Sequence, residues 1–214
     1  MDGLELEKSN LRREVRRRLA ARDVGVLRGE SLRACERLLT MPELGAVTSA
    51  LLYIPIRDDR GETDARRELD AWPLLHALVR RGVRVAVPGV EWERGELDPR
   101  WIRGLAEGLV VRRHGVPEPP PDQGWEAADV ERIGLVVVPG AAFDPSGGRL
   151  GRGGGFYDRL LSRVRPPALV VGLAYDDQVV ERVPAAGHDV RVGVVVTPSS
   201  IHRPGATEGP GRVR

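Results

Sequence analysis

Glycines and arginines are interleaved in one segment in a way that suits the binding of an anion. Glycines occupy positions 147, 148, 151, 153, 154 and 155, and Arg149 and Arg152 lie among them. Glycine lets the backbone adopt positive φ and lets N–H groups approach an anion closely, because no Cβ atom intervenes. Guanidinium groups add full charges that bind phosphate or carboxylate through paired hydrogen bonds. The segment therefore predicts a phosphate-binding loop, with a flexible surface loop as the alternative.

The elements on either side must hold this loop in place. The apolar, β-branched run Leu135–Val138 predicts a strand that is covered on both faces. Residues 157–163, after the glycines, have the apolar spacing of a helix. The start of a helix carries a partial positive charge, which also attracts anions. The order of strand, glycine loop and helix favours the phosphate site over the flexible loop.

A second basic group lies near the N terminus. Residues 5–21 have helical periodicity, with Leu11, Val15 and Leu19 four positions apart on one face. Lys8 and Arg12 are also four apart, so their charges repel each other unless an anion lies between them. Lys8 is the only lysine among the 33 basic residues, which suggests a position that needs a compact ammonium group. The alternative interpretation is a solvated basic face.

The composition is typical of one globular domain. The chain has 214 residues, of which 41% are hydrophobic and 30% charged, and its formal net charge is only +2. A broad basic field for nucleic acid or for a membrane surface is therefore not expected. Cys35 is the only cysteine, no apolar run is long enough to span a bilayer, and no signal segment is recognised. We expect a cytoplasmic monomer with one domain over residues 1–203 and a disordered tail over 204–214.

Apolar runs alternate with helical segments along the rest of the chain. Strands are predicted over residues 47–56, 83–87, 168–173 and 192–197. Pro88 is expected to end the second of these strands, and Asp70 is expected to cap the helix before it. A further helix is predicted over residues 28–39. This alternation predicts a three-layer α/β/α protein with a mainly parallel sheet.

Two motifs resemble those of a known family. The segments 139–144, PGAAFD, and 148–159, GRLGRGGGFYDR, are similar to the signature of 5-formyltetrahydrofolate cyclo-ligases, also called 5,10-methenyltetrahydrofolate synthetases. The chain departs from the family pattern at Phe156, where tyrosine is usual, and at Gly154, where some members have lysine. The resemblance extends over residues 8–197. It implies an α/β fold of the NagB/RpiA/CoA-transferase type.

The resemblance implies an ATP- and Mg²⁺-dependent ligase of folate metabolism. Such an enzyme closes 5-formyltetrahydrofolate to 5,10-methenyltetrahydrofolate and releases ADP and phosphate. Two other functions remain open. A sugar-phosphate isomerase-like enzyme on the same fold would use the anion loop without ATP. A non-enzymatic nucleic-acid-binding protein would use the basic first helix, and its affinity would fall steeply with salt.

The resemblance also implies roles for individual residues. Lys8 and Arg152 would be catalytic, and Asp158 and Asp189 would bind Mg²⁺, which prefers oxygen ligands. The positions expected to bind ATP are Lys8, Arg12, Arg149, Leu150, Gly151, Arg152, Gly153, Gly154, Gly155, Phe156 and Tyr157. The positions expected to bind the folate are Ile54, Glu68, Arg152, Phe156 and Tyr157.

Several assignments stay open. Glu62, in the polar loop of residues 57–67, is an alternative to Glu68 for the folate contact. We prefer Glu68, because the register that follows it is continuous. Trp92 and Trp101 could stack on a pteridine or cover the edge of the core, and we favour the core. His114 is expected to be structural, and His188 is expected to be a turn residue.

Overall fold

The computed structural model describes residues 3–56, 64–66, 68–105, 108–120, 123–187 and 189–205. The α-helices are α1 Gly3–Ala20, α2 Val24–Leu39, α3 Trp72–Arg80 and α4 Phe156–Leu161. The strands are β1 Ser49–Leu52, β2 Arg84–Glu91, β3 Glu96–Trp101, β4 Val110–Val111, β5 Pro117–Glu118, β6 Leu135–Val138, β7 Ala142–Phe143, β8 Arg149–Leu150, β9 Leu169–Leu173, β10 Val194–Val196 and β11 Ile201–His202. Short 3-10 turns cover Pro42–Ala46, Arg113–Gly115, Val130–Arg132 and Asp176–Gln178. In these ranges no helix combines the length and the apolar composition needed to cross a bilayer.

One sheet of seven strands has the order β11-β10-β9-β6-β1-β2-β3. Its inner strands are parallel, and β3 and β11 pair antiparallel at the two edges. Inner parallel strands are covered on both faces, so they need continuous apolar sequence. Strand β6 meets this requirement, because every one of its residues is buried. The predicted mainly parallel sheet is confirmed.

Helices cover the sheet on both faces. Leu135 and Val137 of β6 belong to a core that also contains apolar residues of α1, α2 and α3. Val136 and Val138 belong to a second core, which contains Leu160 of α4. Because successive side chains of a strand point to opposite faces, these two cores lie on the two sides of the sheet. The three-layer arrangement follows, whereas the narrower NagB/RpiA/CoA-transferase type stays an expectation.

Strand β2 does not end at Pro88 as predicted. It continues to Glu91, and Pro88 pairs with Pro99 of β3. Strand β1 pairs with β2 only as far as Ala86, so a residue at position 88 needs no N–H group on that side. A proline is therefore tolerated there. Strand β3 was not predicted, because its sequence is polar and contains a proline.

Helix starts follow local hydrogen bonds. Asp23 caps α2, because its side chain accepts the N–H of Val26. Asp70 Oδ1 accepts the N–H of Trp72 at 3.0 Å, and Pro73 lies in the first turn of α3. The predicted cap therefore contributes, although the residue at the formal cap position is Ala71.

The strand order reverses at one place in the sheet. Strand β1 is followed outward by β2, whereas β6 is followed in the other direction by β9 and β10. In open α/β sheets, ligands bind at the carboxyl ends of the strands where such a reversal occurs. The ends of β1 and β6 are therefore the expected place for a site.

Candidate active site

A cavity of about 690 Å³ opens at the carboxyl ends of β1, β2 and β6. Its lining includes most of the residues that the sequence singled out, namely Arg12, Ile54, Glu68, Arg149, Gly151, Arg152, Gly154, Gly155, Phe156, Tyr157 and Asp158. Lys8, Leu150, Gly153 and Asp189 are not part of the lining. Leu150 is 2% exposed and its side chain packs in the core, and its carbonyl accepts the N–H of Ala141.

Helix α1 lies against the glycine loop. Arg12 Nε donates a hydrogen bond of 2.8 Å to the carbonyl oxygen of Gly151, and an added Cβ at Gly153 would lie 3.9 Å from the Arg12 guanidinium group. Lys8 Nζ donates to Asp189 Oδ2 at 2.7 Å, and the Lys8 side chain is only 6% exposed. Arg12 therefore lies beside the loop, and Lys8, one helical turn earlier, has a carboxylate partner rather than a solvated position.

Asp158 and Asp189 are neighbours in space. Asp158 Oδ1 accepts a hydrogen bond of 2.6 Å from Arg149 Nη2 and one of 3.4 Å from the N–H of Val190. Arg149 lies in β8, and its side chain is 2% exposed. Each of the two carboxylates thus has a basic partner, and the pair of Arg149 with Asp158 lines the cavity.

The glycine loop presents unused backbone donors. Gly153 has φ 110° and Gly155 has φ 66°, and a side chain is strained at such angles. Across the part of the chain that the structure describes, no hydrogen bond is donated by the backbone N–H groups of Gly153, Gly154 or Gly155. An anion in the cavity could accept them. Gly147 and Gly148, in contrast, form the turn between β7 and β8 rather than the loop itself.

Glu68 faces Arg152 across the cavity. Its Oε1 atom lies 3.0 Å from Arg152 Nη2, and its Oε2 atom accepts the N–H of Ile56 at 3.0 Å. Tyr53 donates its hydroxyl hydrogen bond to the carbonyl of Leu69 at 2.7 Å, which fixes the segment that carries Glu68. The alternative, Glu62, lies outside the described residues, as do most of the loop of residues 57–67, His188 and the tail from residue 206.

Tyr157 provides a neutral donor in the cavity wall. Burial, and then the negative charge of Glu68, raise the pKa of its phenol well above the ordinary value. Its hydroxyl group makes no hydrogen bond with any other described residue. The guanidinium of Arg149 lies 5.9 Å from the centre of its ring. Tyr157 therefore stays protonated and can donate to a bound ligand.

Three aromatic rings form one wall of the cavity. The Trp92 ring lies edge-on to Phe156, with centroids 5.7 Å apart, and edge-on to His114, with centroids 5.2 Å apart. We call Trp92, His114 and Phe156 the aromatic wall. Trp92 lines the cavity, so stacking on a pteridine and covering the edge of the core both stay open for it. Trp101 is not part of the lining, and Arg84 packs over its ring.

Other lining residues were missed. Gln178 donates to the carbonyl of Gly140 at 2.7 Å and accepts the N–H of Tyr175, which ties the end of β6 to the turn after β9. Gln178 was not predicted as a residue of the site. Arg16 and Arg66 also line the cavity. Arg16 could have been found, since it lies one helical turn after Arg12.

The described residues contain no group of three His, Cys, Asp or Glu side chains that could hold a metal ion alone. A metal bound here would need oxygen atoms from another source. Asp158 Oδ2 makes none of the hydrogen bonds found among the described residues. A carboxylate oxygen beside a cavity lined by glycines and arginines has the chemistry for a magnesium ion that is shared with phosphate.

Comparisons with known proteins agree on one family. A model described as the 5-formyltetrahydrofolate cyclo-ligase family matches residues 5–198. The 5-formyltetrahydrofolate cyclo-ligase of Mycolicibacterium smegmatis is 34% identical over 149 residues, which cover 68% of this chain and 71% of that protein. The mitochondrial 5-formyltetrahydrofolate cyclo-ligase of Arabidopsis thaliana is 31% identical over 217 residues, which cover 94% of this chain and 77% of that protein.

Solved structures give the same picture. The NMR structure of 5,10-methenyltetrahydrofolate synthetase from Aquifex aeolicus superposes with a TM-score of 0.76 at 31% identity, covering 95% of this chain and 96% of that one. A 5,10-methenyltetrahydrofolate synthetase from Mycoplasma pneumoniae has a TM-score of 0.66 at 20% identity, with coverage of 92% and 99%. The second likeness supports the fold alone.

Proposed function

The chain belongs to the 5-formyltetrahydrofolate cyclo-ligase family, and from that premise we propose that it uses ATP to close 5-formyltetrahydrofolate to 5,10-methenyltetrahydrofolate. The observation that carries the proposal is that one cavity contains both the Arg12 contact to Gly151 and the Glu68 pair with Arg152. A basic, glycine-lined end and a carboxylate-bearing apolar end suit a nucleotide and a folate, respectively. The matches name neither an isomerase nor a nucleic-acid-binding protein.

The chemical difficulty lies in the formyl group. Its oxygen is a poor leaving group, because it is part of an amide. Transfer of the terminal phosphoryl group of ATP to this oxygen leaves ADP and converts the oxygen into a phosphate ester. N10 then attacks the formyl carbon and loses its proton to water, and the carbon–oxygen bond breaks with its electron pair leaving on phosphate. These steps demand positioning and charge neutralisation rather than a protein nucleophile.

The basic residues would hold the nucleotide. Arg12 and the N–H groups of the glycine loop face the same part of the cavity. Arg149 Nε is buried and has no hydrogen-bond partner among the described residues, as expected of a donor that awaits a ligand oxygen. Lys8, behind the loop, would balance the negative charge of the phosphates and of Asp189. Arg152 would contact the phosphoryl group during its transfer and stabilise its negative charge.

The other end of the cavity would hold the folate. Glu68 offers a carboxylate that can accept hydrogen bonds from ring N–H groups, and its own position is fixed by the N–H of Ile56. Ile54 and Phe156 offer apolar surface, and the protonated Tyr157 offers a donor. Because Arg152 pairs with Glu68, it stands between the two substrates, where the formyl oxygen must meet the phosphate.

Asp158 and Asp189 are the residues that would hold Mg²⁺. Asp158 lines the cavity and accepts the N–H of Val190, the residue after Asp189, which supports a site shared by the two carboxylates. Two protein carboxylates leave room for phosphate oxygens and water, which is the usual way in which proteins bind magnesium with a nucleotide. When bound, the ion would neutralise charge that develops on the phosphate oxygens.

We propose the cytoplasm as the site of action and a monomer as the working form. Cys35 is a single buried thiol, which fits a reducing compartment. Cell fractionation and sedimentation of the purified protein measure the two properties. A stable dimer in solution would contradict the second.

A spectroscopic assay tests the proposed function. Purified protein with 5-formyltetrahydrofolate, ATP and Mg²⁺ should develop the absorbance of methenyltetrahydrofolate. Arg152→Ala should lower kcat/KM by about 100-fold or more, the effect of losing one preorganised group that stabilises transition-state charge. Arg163→Ala is the matched control, because Arg163 is exposed just after α4. Absence of turnover in the unmutated protein, with native circular dichroism, would overturn the proposal.

A further inference from the structure

The carboxyl group of Glu118 is buried beside the cavity and has no part in the reaction proposed above. Glu118 lies in β5 and is 1% exposed. Its Oε2 atom accepts the N–H of Val90 in β2 at 3.2 Å. Its Oε1 atom is also buried and makes no hydrogen bond within the described chain. Burying an acceptor without a partner is costly, so a donor for Oε1 is expected nearby.

The indole N–H of Trp92 is the complementary group. Trp92 Nε1 is buried and makes no hydrogen bond with the described residues either. Burial raises the pKa of Glu118, and the N–H of Val90, the charge of Arg112 and the indole of Trp92 partly offset that rise. Glu118 accepts the N–H of Val90, and Trp92 follows Val90 by two residues, so the indole and the carboxyl group belong to the same region of the fold. An indole N–H can only donate and a carboxylate can only accept, so the two unpaired atoms match.

One member of this pair, Trp92, belongs to the aromatic wall. Trp92 is in edge-on contact with both Phe156 and His114, and Val90 lines the same cavity. The Glu118 carboxylate thus contacts the backbone of β2 at Val90, two residues before Trp92. A hydrogen bond from the indole N–H to Glu118 Oε1 would keep the exposed edge of the ring in one orientation toward the cavity.

We propose that Glu118 is a positioning residue that orients Trp92 through Oε1 and thereby sets how tightly the aromatic wall packs against the ring system of the folate. The identity of that ligand rests on the proposed function. Glu118 does not reach the phosphate end of the cavity, so the binding of ATP should be independent of it.

Glutamine distinguishes this role from mere space filling. Glu118→Gln keeps the shape of the side chain but leaves one acceptor oxygen for two donors, the N–H of Val90 and the indole of Trp92. The amide NH₂ group must then face one of these donors. A residue that only fills space would tolerate the change, whereas a residue that accepts two hydrogen bonds would not.

The experiment compares Glu118→Gln in the unmutated and the Trp92→Phe backgrounds, with Glu96→Gln as the control. Glu96 is an exposed carboxylate in the adjacent strand β3. In the unmutated background, Glu118→Gln should raise KM for 5-formyltetrahydrofolate about five- to tenfold, the loss expected for one hydrogen bond. Both kcat and KM for ATP should stay within about twofold. In the Trp92→Phe background, Glu118→Gln should have no further effect.

Tryptophan fluorescence gives an independent reading. Glu118→Gln should change the emission of the unmutated protein and increase its quenching by acrylamide, and neither change should occur without Trp92. Equal effects of Glu118→Gln in both backgrounds, or no effect in either, would overturn the proposal. If the unmutated protein shows no turnover, the proposed function fails, and the fluorescence comparison still decides the coupling between Glu118 and Trp92.

Discussion

The Nζ atom of Lys8 lies 2.7 Å from Oδ2 of Asp189, a residue 181 positions later in the chain. The same oxygen accepts the N–H of Ala186 at 2.6 Å. The Lys8 side chain is almost completely buried, so the attraction within the pair is screened less than at the surface. Through this pair, the first helix supplies a positive charge to a carboxylate that we propose as a ligand of Mg²⁺.

Asp189→Asn should raise the Mg²⁺ concentration that gives half-maximal activity by about tenfold or more, because a metal-binding oxygen is replaced by a neutral amide. Loss of the partner of Lys8 should also lower the melting temperature. Magnesium titrations of initial rates measure the first effect. Asp129→Asn is the control, since Asp129 is exposed and asparagine can also cap a helix. A lower melting temperature with an unchanged Mg²⁺ requirement would show that Asp189 serves only as the partner of Lys8.

Arg12→Ala should lower kcat/KM for ATP by about 10- to 100-fold, because a charged hydrogen bond to the glycine loop and a phosphate contact are lost together. Arg13→Ala is the matched control on the same helix, since the Arg13 side chain is exposed and bonds only to Asn10 among the described residues. Steady-state kinetics with varied ATP make the comparison. Equal losses for the two variants would contradict a specific role for Arg12.

Asp144→Asn should lower the free energy of unfolding near neutral pH by about 2 kcal/mol, because the carboxylate accepts several hydrogen bonds that an amide cannot all replace. Its donors are the N–H and hydroxyl groups of Ser146 and the N–H groups of Gly148 and Val183. Chemical denaturation of both proteins measures the difference. Pro145→Ala is the control for a change in the same turn, because Pro145 is next to Asp144 and exposed.

The effect of Asp144→Asn should also depend on pH. Burial raises the pKa of Asp144, but the hydrogen bonds from Ser146, Val183 and Gly148 outweigh it, so that the pKa in the folded state is lowered. Such a carboxyl group stabilises the folded state above the pKa of the unfolded chain, about 3.9. The difference in the free energy of unfolding between the unmutated protein and Asp144→Asn should therefore shrink as the pH falls below about 4. It should be lost once the pH is below the lowered pKa of Asp144. A difference that stays constant from pH 7 to about 3 would contradict this account.

Cys35 should react slowly with thiol reagents in the folded protein. Burial raises the pKa of its thiol to about 12, so almost no thiolate is present at neutral pH. The side chain is fully buried in α2 and donates weakly to the carbonyl of Asp70. Labelling at pH 8 should be about 100-fold slower than in guanidinium chloride. Mass spectrometry measures the extent of labelling over time. Equally fast labelling of the folded and the unfolded protein would contradict the burial of Cys35.

The sequence predicts those parts of the fold where local pattern and tertiary environment agree. Strand Leu135–Val138 was predicted with its observed boundaries, because a strand buried on both faces must be apolar at each position. The glycine loop was also placed correctly between β6 and α4. Edge strand β3 was missed, since an edge strand pairs on one side only and tolerates polar residues and Pro99.

The partners within the site could not be predicted from spacing. The pairs of Lys8 with Asp189 and of Arg149 with Asp158 depend on which elements pack together, and charge alone does not select one carboxylate among 31 acidic residues. Trp92 gave the same difficulty, because a tryptophan in a polar stretch fits a core edge and a cavity wall equally well. Family resemblance, rather than periodicity, indicated the residues of the site.

The cavity takes its walls from widely separated parts of the chain, from Arg12 in α1 to Gln178 after β9. During translation, the first helix leaves the ribosome long before Gly151, to which Arg12 bonds, has been made. Asp189, the partner of Lys8, emerges later still. Nascent chains therefore lack part of the site until residue 189 has been made, and a premature stop just before Asp189 would remove the partner of Lys8 while all four α-helices remain in the chain.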